Sequence, residues 1–187
     1  LGLGHAVLTA RQAVGDEPFA VMLGDTIIRP DAGAPTGLRQ LLDAVEATGH
    51  SVVAVRYVPR DAVSRYGIVD GQTVEGDERL YRLHRLVEKP SPDEAPTHLA
   101  IAGAYAFTPA LWEHLAKARP GKGGEIQLTD PMNALAQAEP MHALRWRATR
   151  YDVGNRVDYA RCVLALGLED DQIGPILRDD LSRREDL

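Results

Sequence analysis

Phe19-Ala20-Val21-Met22-Leu23 is a short, continuous apolar run that stops abruptly at Gly24-Asp25. Its length and its polar end read as a buried strand. Upstream, Ala6, Val7, Ala10 and Val14 recur at helical spacing until Gly15, which predicts a helix over 5–14 behind a glycine turn. Downstream, Leu38, Leu41, Leu42 and Val45 fall at i, i+3, i+4 and i+7 before Gly49. Ser51 to Val58 then follows as a β-branched strand closed by Pro59. Helix, strand, helix, strand predicts an α/β domain with a largely parallel central sheet, because parallel strands need a crossover element to return the chain.

The middle of the chain differs. Tyr66–Val69, Leu83–Val87 and Leu99–Phe107 are strand-like and joined without long helices, which predicts an antiparallel or mixed section of the sheet. Leu111, Trp112 and Leu115 then mark a helix, and a further helix is expected to open with Asp130 as N-cap and Pro131 at its first position. A strand at Ala143–Trp146 and a loop at Tyr151–Gly154 precede a helix capped by Asn155, with apolar positions Val157, Ala160, Leu164 and Leu168. Ile173–Leu187 suits a surface helix, and Arg29–Thr36 and Ser91–Thr97 read as loops. With no repeat and no long linker, the expected organisation is one domain over residues 1–170 with a helical tail at 171–187.

Composition narrows the function. A hydrophobic share of 44% and a charged share of 26% are ordinary for a folded domain of 187 residues. A net charge of −6 disfavours binding nucleic acid, which needs many phosphate-neutralising cations on one face. Cys162 is the only cysteine, so an intramolecular disulfide and a cysteine-based zinc site are excluded and a reducing compartment fits. No stretch approaches the ~20 apolar residues of a membrane helix. A cytoplasmic protein that binds no membrane is expected.

Four segments could carry chemistry. Asp25 stands directly beyond an apolar strand, and in open α/β sheets ligands bind outside the carboxyl ends of strands. Asp152, between a strand and a helix, could reach the same edge. Two such carboxylates could share Mg²⁺, which takes one or two carboxylates and completes its octahedron with substrate phosphates and water. On spacing alone each is equally a turn residue. Glu88-Lys89-Pro90 ends a strand, and Lys89, one of three lysines among 21 basic residues, could make a point-charge contact to phosphate; a solvated charge pair fits equally. Gly121–Asp130 is a glycine-rich approach to a helix without the Walker A spacing, and a structural turn accounts for it. The six histidines show no metal-like pairing, and only His5, near the N-terminal glycines, stands out.

In order along the chain, LGLGHAVL (1–8), LGD (23–25), SRYGIVD (64–70), LVEKP (86–90), LAIAGAY (99–105), GGEIQLTD (123–130) and RYDVGN (150–155) resemble the bacterial UTP:glucose-1-phosphate uridylyltransferases of the nucleotidyltransferase superfamily. The resemblance covers nearly the whole chain up to the last helix. It implies a Rossmann-like three-layer α/β/α nucleotide-diphospho-sugar transferase fold with a mixed central sheet. It also implies Mg²⁺-dependent formation of UDP-glucose and pyrophosphate from UTP and glucose 1-phosphate. By resemblance, Asp25 and Asp152 are the metal carboxylates, Glu88 bonds sugar hydroxyls and Lys89 holds the sugar phosphate. Gly67 and Gly103 let the backbone approach the sugar. Gly2, with His5 close by, matches a glycine near the nucleotide base, and Glu125 and Gln127 fall on the sugar side or shape the loop. Self-association into a homo-oligomer is expected on the same ground.

Members of that family open with a strand and a GxGTRxxP loop that cradles the triphosphate, and nothing of this form occurs in the sequence, which begins at Leu1. The reading therefore expects the first strand of the sheet and most of the UTP site to lie upstream, and the present chain to be poorly active alone. Two rivals stand beside it: another sugar-1-phosphate nucleotidyltransferase using dTTP or ATP, and a non-catalytic sugar-nucleotide binding subunit.

Overall fold

Alternation along the strands decides which helix covers which face. In a computed structural model, which describes residues 1–183, the chain runs α1 (Gly2–Thr9), α2 (Arg11–Val14), β1 (Phe19–Met22), β2 (Thr26–Pro30), α3 (Gly37–Thr48) and β3 (Val52–Tyr57). A 3-10 turn at Arg60–Arg65 leads to β4 (Gly67–Val74), β5 (Asp77–Glu88) and β6 (Leu99–Phe107). Then come α4 (Leu111–Lys117), α5 (Thr129–Ala138), β7 (His142–Arg145), β8 (Ala148–Asp152), α6 (Arg156–Glu169) and α7 (Ile173–Ser182). Six strands form one sheet in the order β1-β6-β3-β7-β5-β4, and β2 pairs with β8 in a separate ribbon.

Val52 and Ala54 of β3, with Ala102, Ala104 and Ala106 of β6, point to the face covered by Leu41 of α3. Their neighbours Val53 and Val55, with Ile101, Tyr105 and Phe107, point to the opposite face, under Val7 of α1, Trp112 of α4 and Met132 of α5. The result is the expected three-layer α/β/α arrangement. Phe19 stacks on Trp112 with ring centroids 4.1 Å apart, and the indole N–H donates to the Gly15 carbonyl at 3.0 Å, so this buried side chain keeps its polar atom satisfied.

The sheet is mixed, but far less parallel than the alternation of helices and strands predicts. Among the described residues only β3 and β7 pair in parallel; β1–β6, β3–β6, β5–β7, β4–β5 and the single β4–β6 rung are antiparallel. The cause is β6. Buried along its whole length, it inserts between β1 and β3, the two strands that would otherwise have been parallel neighbours.

Local departures have local reasons. The helix expected over 5–14 is two, broken at Ala10, where the Thr9 hydroxyl bonds back to the Ala6 carbonyl at 2.7 Å and the turn tightens. α5 starts at Thr129, so Asp130 and Pro131 lie within its first turn and Asp130 is not the N-cap. Arg29, Pro30, Tyr151 and Asp152, expected in loops, belong to the β2–β8 ribbon. Asn155 does cap α6, its side-chain oxygen accepting from the Val157 and Asp158 amides at 2.8 and 3.3 Å. The face of α6 containing Val157 and Leu164 is exposed, however, and Cys162 is the buried residue of that helix. α7 packs on α6, and residues 184–187 of the expected tail helix lie outside the described residues. Among the described residues no helix is long and apolar enough to cross a membrane.

His142, at the start of β7, is 8% exposed, and burial, with His50 and Arg82 adding repulsion, holds its imidazole below the ordinary 6.5. The unfolded chain then binds a proton as pH falls through 6.5 while the folded chain resists it, so stability is full above that pH and declines below it. Urea midpoints at pH 7.5 and 5.5 are expected to fall further for the wild type than for His142→Gln, which has no proton to take up.

Candidate active site

The ribbon of β2 and β8 brings the two ends of the chain's chemistry together. Its first rung pairs Thr26 with Asp152, and the Val153 amide donates to the Asp25 carbonyl at 2.8 Å. Asp25 and Asp152 thus flank Gly154. A methyl group on Gly154 would lie 3.3 Å from Asp152 Oδ1 and 3.4 Å from Asp25 Oδ2, so both carboxylates converge on one small volume. Among the described residues the Asp25 carboxylate has no ion-pair partner, while Asp152 Oδ2 takes Arg150 at 3.3 Å. No cluster of three or more His, Cys, Asp or Glu side chains with the arrangement of a protein-only metal site occurs among the described residues. Two facing carboxylates fit Mg²⁺ in particular, because that ion leaves most of its octahedron to water and phosphate oxygens.

Across the hollow, the end of β5 presents Glu88 and Lys89. Lys89 has φ +45°, the only positive φ outside glycine among the described residues, and its amide donates to the Tyr66 carbonyl at 3.0 Å. A strained non-glycine backbone held by a hydrogen bond from another segment is characteristic of functional positions. The Glu88 carboxylate, 14% exposed, is fixed at both oxygens: Oε2 accepts from the Thr129 hydroxyl and Oε1 faces Lys89 Nζ at 3.5 Å. Gly67, opposite Glu88 in the β4–β5 register, is glycine for a visible reason. A Cβ there would sit 2.8 Å from Ile101 Cδ1, 3.0 Å from Thr129 Oγ1 and 3.3 Å from Glu88 Oε2.

These groups line one cavity of about 340 Å³ that includes Asp25, Asp152, Glu88, Lys89, Gly67 and Gly103 from the sequence-level candidates. It also takes in Leu3, Arg65, Tyr66, Gln127, Thr129 and Arg150, of which only Gln127 stood out in the sequence. Gly103, at φ +79°, accepts the Leu23 amide at its carbonyl and leaves room for the Thr26 hydroxyl. Gly2, His5 and Glu125 are not in the cavity wall. Gly2 and Gly4 dock the start of α1 on the 125–127 segment: the Gly4 amide donates to the Ile126 carbonyl at 2.8 Å, and a Cβ on Gly2 would lie 2.6 Å from that same oxygen. Leu3 is the residue of that stretch that reaches the cavity. Glu125 is exposed and accepts from Gln127 Nε2 at 3.3 Å.

Electrostatics follow burial. Asp130, just outside the cavity, has its carboxyl raised by burial and by the negative charge of Glu88. Tyr105, in the cavity wall, is held well above the ordinary phenol range by burial, with Glu88 adding to the effect and Arg150 opposing it. The missed residues carried weak signals. Arg150 precedes Asp152 by two positions on a strand, which puts both on one face, and Thr129 lies inside the GGEIQLTD string.

Residues 1–166 match the nucleotidyl transferase family model. The chain belongs to that family. This nucleotidyl transferase chain is 42% identical over 188 residues to a UTP–glucose-1-phosphate uridylyltransferase of Bacillus subtilis, covering 98% of its own length and 63% of the relative's. Its fold superposes on a UDP-glucose pyrophosphorylase complexed with UDP-glucose at TM-score 0.86 and 35% identity, covering 90% of this chain and 63% of that one. UTP-bound UGPase from Acinetobacter baumannii matches at TM-score 0.84 and 30% identity, over 96% of this chain and 61% of that one. The nucleotidyl transferase chain thus spans rather less than two thirds of the length of these relatives.

The crowding at Gly67 has a measurable cost. Gly67→Ala is expected to lower the unfolding free energy by about 1–3 kcal/mol through overpacking. Gly24→Ala, with nothing within 4 Å of the added carbon, is expected to stay within about 0.5 kcal/mol. Urea denaturation of the two variants measures the difference.

Proposed function

We propose that this chain carries the sugar-phosphate and metal side of the active site of a UTP:glucose-1-phosphate uridylyltransferase, which forms UDP-glucose and pyrophosphate. The observation that carries the reading is the convergence of Asp25 and Asp152 on the Gly154 position, in one cavity with the Glu88–Lys89 pair. The names of the relatives supply the substrates, and the geometry suits them.

In this reaction a phosphate oxygen of glucose 1-phosphate attacks the α-phosphorus of UTP in line, and pyrophosphate departs. The attacking phosphate is already ionised at neutral pH, so no general base is needed and the protein's task is to position two anions and neutralise growing charge. Lys89 supplies the cation for the sugar phosphate, with its direction fixed by the strained backbone and by Glu88. Glu88 faces the sugar as a hydrogen-bond acceptor. Gly67 and Gly103 leave backbone exposed where the sugar must come close. Asp25 and Asp152 would hold Mg²⁺, which when bound neutralises phosphate charge and orients the reacting groups.

The same reading takes residues 1–170 as the catalytic domain and 171–187 as a helical tail. It makes the enzyme a cytoplasmic homo-oligomer, a state supported by the exposed Val157, Val163, Leu166 and Ile176 on α6 and α7.

In the enzyme that carries this sequence, Asp25→Asn and Asp152→Asn are each expected to lower pyrophosphate release by about 10²–10³-fold. Lys89→Ala is expected to raise KM for glucose 1-phosphate more than KM for UTP. A coupled pyrophosphate assay with UTP, dTTP and ATP in parallel checks all three. Near-normal rates in either aspartate variant would remove the metal assignment, and turnover with dTTP or ATP in preference to UTP would remove the donor.

A further inference from the structure

The geometry points to Arg150 as a positioning residue: it holds one oxygen of the Asp152 carboxylate so that the other faces the Gly154 position beside Asp25, where the two carboxylates would hold the cation. The inference rests on the reading of Asp25 and Asp152 as the cation's carboxylates, and it assigns a role to a residue that the reaction itself does not require.

Arg150 and Asp152 leave β8 on the same face, two residues apart. The Arg150 side chain is only 6% exposed, although its charge is permanent. Nη1 and Nη2 donate to Asp152 Oδ2 at 3.4 and 3.3 Å, and Nη2 also donates to the Thr26 hydroxyl at 3.2 Å. Thr26 is the register partner of Asp152 on β2. The guanidinium therefore ties the carboxylate to the opposite strand at its own rung of the ribbon, through one oxygen alone. The oxygen left over is Oδ1, the one that lies beside Gly154, where Asp25 Oδ2 also arrives.

A bridge present only for stability fits these facts poorly. Arg150 Nε is buried and has no hydrogen-bond partner, so the cation is desolvated without being fully satisfied. Buried ion pairs contribute little net stability even when complete. What this pair does secure is direction. A carboxylate held through one oxygen loses those contacts when it rotates, and groups that orient metal ligands in this manner typically govern affinity by 10–100-fold.

The alternative roles differ in sign. A guanidinium near a cation site repels the incoming metal, so if Arg150 contributed only its charge, removing it would tighten metal binding. If it positions Asp152, removing it loosens binding. Mn²⁺ binding followed by electron paramagnetic resonance separates the two without any turnover. Arg150→Gln is expected to raise the Mn²⁺ Kd by about 10–100-fold. Thr26→Val, nearly isosteric and leaving the charge in place, is expected to raise it in the same direction by a smaller factor. Melting curves establish that each variant is folded, and Thr26→Val carries the test where Arg150→Gln does not fold. Unchanged or tighter Mn²⁺ binding in folded Arg150→Gln, or unchanged binding in Thr26→Val, would overturn the positioning role. Asp152→Asn provides the separate control: if it binds Mn²⁺ like the wild type, or if the wild type binds none, the carboxylate assignment itself falls.

Discussion

The hydrogen bond between Arg150 and Thr26, residues 124 positions apart, marks the constraint on which the site depends: the two-stranded ribbon of β2 and β8. Neither strand belongs to the main sheet. Three residues separate the end of edge strand β1 from β2, and three separate the end of β8 from α6, so the ribbon clamps two exits that would otherwise be independent loops. A two-stranded ribbon is marginal by itself. Here Trp146 and Ile28 pack into the cluster around Leu41 of α3, and that anchor transmits the rigidity of the sheet to the carboxylates.

The rest of the site is built against local preference and held by its neighbours. Lys89 adopts a backbone conformation that a residue with a Cβ avoids, and the hydrogen bond from its amide to the Tyr66 carbonyl holds it there. Glu88 is mostly buried, which is unfavourable for a carboxylate, and the Thr129 hydroxyl and Lys89 ammonium offset that cost. Each compensating group comes from a different element: the segment before β4, the end of β5 and the first residue of α5. Such an arrangement is preorganised. A ligand entering the cavity would meet charges already aimed at it and need not order them on binding.

The sequence was informative where chemistry and periodicity coincide. Apolar runs such as Phe19–Leu23 and Leu99–Phe107 are strands, the i, i+3, i+4 pattern of Leu38–Val45 is α3, and Asn155 is a cap, because each of these depends mainly on nearby residues. Pairing order is a different matter. That β6 inserts between β1 and β3 depends on contacts no local pattern records, and it leaves the expected mixed sheet less parallel than the alternation of helices and strands at the start of the chain suggests. The ribbon was missed for a similar reason: Thr26–Pro30 ends in Arg29 and Pro30 and shows no alternation, so only its long-range partner makes it a strand. Among candidate site residues, acids at strand exits were legible. Arg150 was not, since a basic residue beside a loop looks solvated until burial is known.

Glycines show how a motif can be right about position and incomplete about cause. The resemblance puts Gly2 near the base and Gly67 near the sugar, yet each is required here before any ligand is considered. Gly67 yields space to Glu88 and Thr129, and Gly2 yields it to the Ile126 carbonyl. Gly154 separates the two aspartates by allowing both oxygens within 3.4 Å of where a side chain would begin. In all three places the missing methyl group serves protein groups already present: three carboxylates, a hydroxyl and a carbonyl that set the shape of the site. A glycine that clears room for a carboxylate is therefore as much a part of the binding apparatus as the carboxylate, because restoring the methyl would move the charge and not merely fill a void.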